Sequence, residues 1–211
     1  MIDFDHLVLW LSPRIVMGSY WPDLSRYKNN GRIYGAQLRH GAMYFNGENA
    51  YIRVPDSPAL RPSYWTIVIW FKSLYTVGSD IGYYPFILSK YRGEQKGYWM
   101  VIGRTDQNFG VGTGDGTKKN EIWTKTLDNN WHMLTGQLTE TKLIAYYDLD
   151  KYEFTLNVTP VVSLHDLYIG ARDATQGYVK CYIGDILMFD TILSEQQLRI
   201  LYNLTSPYGT R

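Results

Sequence analysis

The chain has little cysteine: one thiol, Cys181, in 211 residues. A single thiol cannot close an internal disulfide or build a Cys-based zinc site, so Cys181 reads as a small buried hydrophobe. Neither sign of charge is in excess, with 21 Lys and Arg against 20 Asp and Glu and a net charge of +1. That balance gives no electrostatic case for nucleic acid or for an anionic membrane. Long apolar runs are missing too, and nothing approaches the ~20 residues of a spanning helix. Met1 to His6 carries Asp3 and Asp5 where a signal peptide carries bases. The expectation is therefore no membrane insertion and no standard secretion signal. The chain would be extracellular or on a virion surface if it belongs to a particle or a larger chain, and cytoplasmic otherwise. No Pro/Gly/Ser-rich or charged linker divides the sequence, which predicts one domain over residues 1–211. The histidines His6, His40, His132 and His165 share no ligand spacing, and His132 reads as a packed or edge strand residue.

What the chain has in quantity is aromatic residues and short β-branched runs. Tyrosine occurs 19 times and tryptophan 7 times. The most informative run is Trp65-Thr66-Ile67-Val68-Ile69-Trp70-Phe71-Lys72. As a strand it points Trp65, Ile67, Ile69 and Phe71 to one face and Thr66, Val68 and Trp70 to the other. A strand apolar on both faces belongs at the centre of a covered sheet, and the simplest architecture that covers it is two packed sheets. Short strands punctuated by turn residues fill the rest. They include Gly41–Phe45 and Ala50–Val54 around Asn46-Gly47, which reads as a hairpin, and a second hairpin around Leu149-Asp150-Lys151. One helix is expected near the end: Ser194 and Gln197 make a capping box, and Leu198, Leu201 and Tyr202 make an apolar stripe. The fold class is all-β, a two-sheet antiparallel β-sandwich with one short C-terminal helix.

Several stretches, taken in order, resemble the laminin-G-like, or concanavalin A-like, jelly rolls. They are Asp23–Gly31, Gly41–Gly47 with Tyr51–Pro55, Thr66–Lys72, Asn130–Leu134, Tyr146–Asp148, Leu167–Ala171 and Gly184–Gln197. Gly184 stands where that family commonly has the first acid of an acidic pair, and Leu149 replaces a turn glycine. The resemblance implies the jelly-roll sandwich but not one function, because the fold hosts lectins, adhesion modules, glycosidases and spacers.

Three constellations carry candidate chemistry. Asp148-Leu149-Asp150-Lys151-Tyr152-Glu153 resembles the acid pattern of retaining glucanases with this fold, whose two carboxylates stand ~5–5.5 Å apart. It also reads as a hairpin turn, the preferred reading, and a non-enzymatic chain is expected. Tyr91, Tyr98, Trp99, Trp123 and Tyr178 lie in loops or near strand ends, as do Tyr83 and Tyr84. Flat rings against the C–H faces of sugars, with Asp106, Asn108, Asp115, Arg172 and Asp173 for the hydroxyls, predict a site for a glycan or glycoprotein surface. The same aromatics also suit contacts between copies of the chain, as in a virion or cell-surface subunit. Asp23, Asn29 and Asn30 offer oxygens in one loop, and the resemblance adds Asp185 on the closing strand as a calcium ligand. A turn held by side-chain hydrogen bonds, without an ion, is the alternative.

Overall fold

Alternating β-branched and aromatic residues build sixteen strands among residues 2–91 and 93–205, which the computed structural model describes. In chain order they are β1 (Leu7–Leu11), β2 (Tyr20–Trp21), β3 (Gly31–Tyr34), β4 (Gln37–Arg39), β5 (Ala42–Asn46), β6 (Tyr51–Val54), β7 (Trp65–Ser73) and β8 (Phe86–Ser89). Then come β9 (Lys96–Ile102), β10 (Asn108–Asp115), β11 (Lys119–Thr126), β12 (Trp131–Leu138), β13 (Lys142–Tyr147), β14 (Asp150–Thr155), β15 (Leu167–Ile169) and β16 (Lys180–Phe189). A helix, α1, spans Glu195–Thr205. The front sheet runs β14-β13-β12-β7-β16-β5-β4, with β1 also paired to β16. The back sheet runs β11-β10-β9-β8-β15-β6-β3-β2. The two antiparallel sheets form the expected sandwich.

β7 lies between β12 and β16, and its register puts Ile69 opposite both Leu134 and Ile186. Trp65, Ile67, Ile69 and Phe71 face the back sheet and join the main core with Phe45, Val111 and Ile169. Val68 and Trp70 face outward into a second cluster with Leu7, Met133, Leu198 and Leu201. Ile69 and Trp70 are each 0% exposed, so both faces of the strand are covered. Helix α1 supplies much of the outer cover. The Trp70 Nε1–H donates to Thr205 Oγ1 at 2.7 Å, and the Trp70 ring lies 5.4 Å from that of Tyr202. The helix starts as its capping box predicts. Gln197 Oε1 accepts from the Ser194 N–H at 2.9 Å, and the Gln197 N–H donates to Ser194 Oγ at 3.3 Å. Cys181 is fully buried in β16, where desolvation holds its thiol well above the usual value. No helix among the described residues is long and apolar enough to cross a membrane.

Two turns differ from their sequence reading. Asn46-Gly47 does not join a hairpin: β5 pairs with β4 and β16 in the front sheet, whereas β6 pairs with β3 and β15 in the back sheet. The turn is an arch between layers. Asn46 Oδ1 accepts from the N–H groups of Glu48, Asn49 and Ala50, and Gly47 takes a φ of 79°. The β13–β14 hairpin does form, but Tyr147 pairs with Asp150, so its turn is Asp148-Leu149. Asp148 takes the left-handed conformation there, with φ 56°.

Candidate functional site

The front sheet's outer face is covered by α1 and the N-terminal segment. The back sheet's outer face carries a separate cluster of Phe86, Trp99 and Val101, with Tyr91 and Trp123 packed against it. The cause lies in β10. Its inward residues Phe109 and Val111 enter the core, and its outward residues include Gly110 and Gly112. Gly110 pairs with Trp123 of β11, and Gly112 pairs with Trp99 of β9. A Cβ at either glycine would overlap the indole across from it. The two tryptophans therefore fold inward over a strand with no side chains to hold them up. The result is a concavity of about 900 Å³ with an aromatic floor.

Rings and loops make the walls. Tyr91 stands 4.8 Å from Trp99 and stacks on Phe86 at 6.0 Å, and Tyr84 stands 6.3 Å from Trp123. Tyr84 is 54% exposed, so its ring is open to a ligand. The loop carrying Tyr83 is tied across the site, because the Tyr83 hydroxyl lies 3.2 Å from Gly47 O and 3.1 Å from Tyr178 O. Polar groups rim the floor. Trp99 Nε1–H donates to Glu121 Oε1 at 3.2 Å, and Lys119 Nζ lies 2.6 Å from the other Glu121 oxygen. Arg104 forks onto Asp80 through two bonds of 3.1 Å, and Arg172 Nε donates to Asp173 at 3.2 Å. Hydrogen bonds from Arg104 and the Gly82 N–H hold the Asp80 carboxyl below its ordinary range.

The structure brings Tyr91, Trp99, Asp106, Asn108, Trp123, Arg172 and Tyr178 together around this concavity. It does not bring Tyr98, Asp115 or Asp173 to its lining. Tyr98 precedes Trp99 in β9, and adjacent strand residues face opposite ways. Its ring packs 5.3 Å from Trp65 between the sheets, and its hydroxyl donates to Leu60 O at 3.1 Å. Asp115 caps the β10–β11 turn, accepting from the N–H groups of Thr117 and Lys118 at 2.7 Å each. Asp173 is 8% exposed and holds its own loop, accepting from Thr175 N–H at 2.8 Å. Trp99 is itself only 3% exposed, so it supports Tyr91 from below. Glu121, Arg104 and the paired glycines escaped the sequence reading. The signal for the glycines was the alternation Gly110-Val111-Gly112-Thr113-Gly114, a strand with one bare face.

In the loop weighed for calcium, the polar side chains hydrogen-bond to one another and to the backbone. Asp23 is 2% exposed, and each of its oxygens is already taken twice. Oδ1 accepts from the N–H groups of Trp10 and Ser25 at 2.8 and 2.9 Å. Oδ2 accepts from the Ser25 hydroxyl and the Asn29 N–H at 2.6 and 2.7 Å. Asn30 Oδ1 accepts from the Asp23 N–H at 2.8 Å, and Asn29 Oδ1 accepts from the Ser57 hydroxyl at 2.7 Å. Asp185 Oδ1 accepts from Trp10 Nε1–H at 3.2 Å. Donor hydrogens thus fill both oxygens of Asp23, and side-chain hydrogen bonds hold the loop.

The acids of the run Asp148–Glu153 are each engaged by other groups. Asp150 and Glu153 lie three positions apart on β14 and point to opposite faces. Asp148 Oδ1 accepts from the Met133 N–H at 2.9 Å, and Asp150 pairs with Lys125 at 2.7 Å. Hydrogen bonds from Lys142 and Lys151 push the Glu153 carboxyl down to about 2.

No family model and no curated protein matches this chain. Solved structures do. The binding domain of Paraclostridial Mosquitocidal Protein 1 superposes with a TM-score of 0.79 at 18% identity, covering 95% of this chain and 52% of that one. The binding domain of Botulinum Neurotoxin DC, in complex with SialylT, gives a TM-score of 0.78 at 14% identity over 96% and 52%. The same domain in complex with rat synaptotagmin II gives 0.77 at 12% identity over 96% and 52%. This chain thus spans about half the length of each, and at these identities the likeness establishes the β-sandwich fold.

Proposed function

We propose that residues 1–211 form one non-enzymatic binding module, of laminin-G-like kind, that takes a glycan, free or on a glycoprotein, in the aromatic concavity. The reading rests on one observation: the outer face of the back sheet opens into an aromatic-lined concavity over the glycines of β10. Rings of Tyr84, Tyr91 and Trp123 suit the C–H faces of pyranoses, and Glu121, Asp106, Asn108 and Arg172 suit their hydroxyls. Neighbours in fold are binding domains, one of them in complex with SialylT, which agrees with this reading at the level of fold.

A glycan-array screen of the purified chain, followed by calorimetric titration of the best hit, tests it. Tyr91→Ala and Trp123→Ala should each weaken binding at least about tenfold, about 1.4 kcal/mol, with the melting temperature little changed. An array without signal, or variants that bind like the parent, would sink the reading. Self-assembly is the second reading. Val161, Val162 and Leu164, which are 42, 46 and 67% exposed, supply the apolar surface it needs. Sedimentation of the purified chain as a stable ring or trimer would favour that reading.

A further inference from the structure

The charges around the concavity say what kind of glycan it takes, given the reading above. Each cation on its lining is already matched. Arg104 spends its fork on Asp80, Lys119 is paired with Glu121, and Arg172 is paired with Asp173. Asp106 accepts only from the Thr105 hydroxyl at 3.1 Å, and no cation pairs with it among the described residues. The lining itself carries three cations and two carboxylates; with Asp80 and Asp173, which lie outside the lining, closing the pairs on Arg104 and Arg172, and Glu121 the pair on Lys119, Asp106 is the lining carboxylate left without a cation among the described residues. A site for acidic sugars needs an open guanidinium fork that receives the carboxylate through two parallel bonds. Here an acidic ligand would have to displace Asp80 from Arg104 while facing Glu121 and Asp106. Hydroxyl groups meet no such obstacle, because carboxylates accept strongly from neutral donors. The volume of about 900 Å³ lies near the top of the range for small-molecule sites. Tyr91, packed on Trp99 of β9, and Trp123 of β11 stand on either side of the bare strand, which gives the floor two platforms.

We propose that the concavity takes uncharged oligosaccharides and discriminates against sialylated and uronic acid-containing ones. The discrimination is repulsive, set by Asp106. The test is an array carrying neutral oligosaccharides beside the same cores capped with sialic acid or extended with glucuronic acid. Each neutral glycan that binds should bind at least about tenfold more strongly than its acidic counterpart, as like-charge juxtaposition demands. Asp106→Asn, at an exposed loop position, should narrow that gap by raising the binding of the acidic form relative to that of its neutral counterpart. Equal or stronger binding of the acidic forms would overturn the inference while leaving the glycan reading intact. A gap that Asp106→Asn leaves unchanged would overturn the role given to Asp106. Retention of neither class would overturn the glycan reading itself.

Discussion

His132 lies between two carboxylates. Its Nδ1 is 2.9 Å from Asp148 Oδ2 and its Nε2 is 2.8 Å from Asp128 Oδ1. A neutral imidazole carries one N–H, so both contacts are hydrogen bonds only when the ring is protonated. Burial alone would lower its pKa, but the bonds to Asp148 and Asp128 outweigh burial and raise it. The other groups nearby are the Tyr147 ring, 4.4 Å away, and Lys125, which lies over that ring. The folded value is thus above the unfolded value of about 6.5. The stabilisation is complete below about pH 6.5 and is lost as pH rises through the folded value. Melting temperature should therefore fall on going from pH 6 to pH 9, and the fall should be smaller in His132→Gln. Parallel pH profiles for the two proteins would show that the clasp contributes nothing. Asp23 gives a second expectation at this scale. With its oxygens filled by N–H and O–H donors, melting curves in calcium and in EDTA should superimpose, and a rise with calcium would place an ion there. The sequence placed His132 in a strand, but its acids lie 4 and 16 positions away and meet it only through the fold.

At the scale of elements, β7 was the most legible part of the chain, because period-2 alternation with both faces apolar admits few readings. Trp70→Ala should cost about 3–5 kcal/mol, since it empties the space between the sheet and α1. A chemical-denaturation midpoint equal to that of the parent would contradict the burial. The aromatic set was half legible for the same reason of period. Tyr98 and Trp99 looked alike as residues near a strand end, yet one faces the core and the other the concavity. What decides between them is the bare face of β10, a feature of a neighbouring strand. The arch at Asn46-Gly47 was illegible for a different reason. Turn chemistry fixes a local reversal, and it does not say whether the next strand pairs with the last one or crosses to the other layer.

For the whole molecule, strand order is the governing fact. The chain passes from β5 in the front sheet to β6 in the back, returns for β7, crosses for β8 to β11, and returns for β12 to β14. It then crosses once more for β15 and comes back for β16. Neither sheet is built from one continuous half of the sequence, so neither has an independent core. Unfolding in denaturant should follow one transition, with far-ultraviolet dichroism and tryptophan fluorescence coinciding. Two separated midpoints would mean that part of the sandwich holds without the rest.

The position of β7 also constrains how the chain is made. Its neighbour β12 begins at residue 131, and its other neighbour, β16, ends at residue 189. A ribosome adding roughly 5–20 residues per second needs on the order of ten seconds to travel from the end of β7 to the end of β16. Through that interval β7, a strand apolar on both faces, has an open edge, where a second nascent chain can pair. Yield in a cell-free translation system should then respond to slower elongation and to added holdase chaperones more than the stability of the finished protein would suggest.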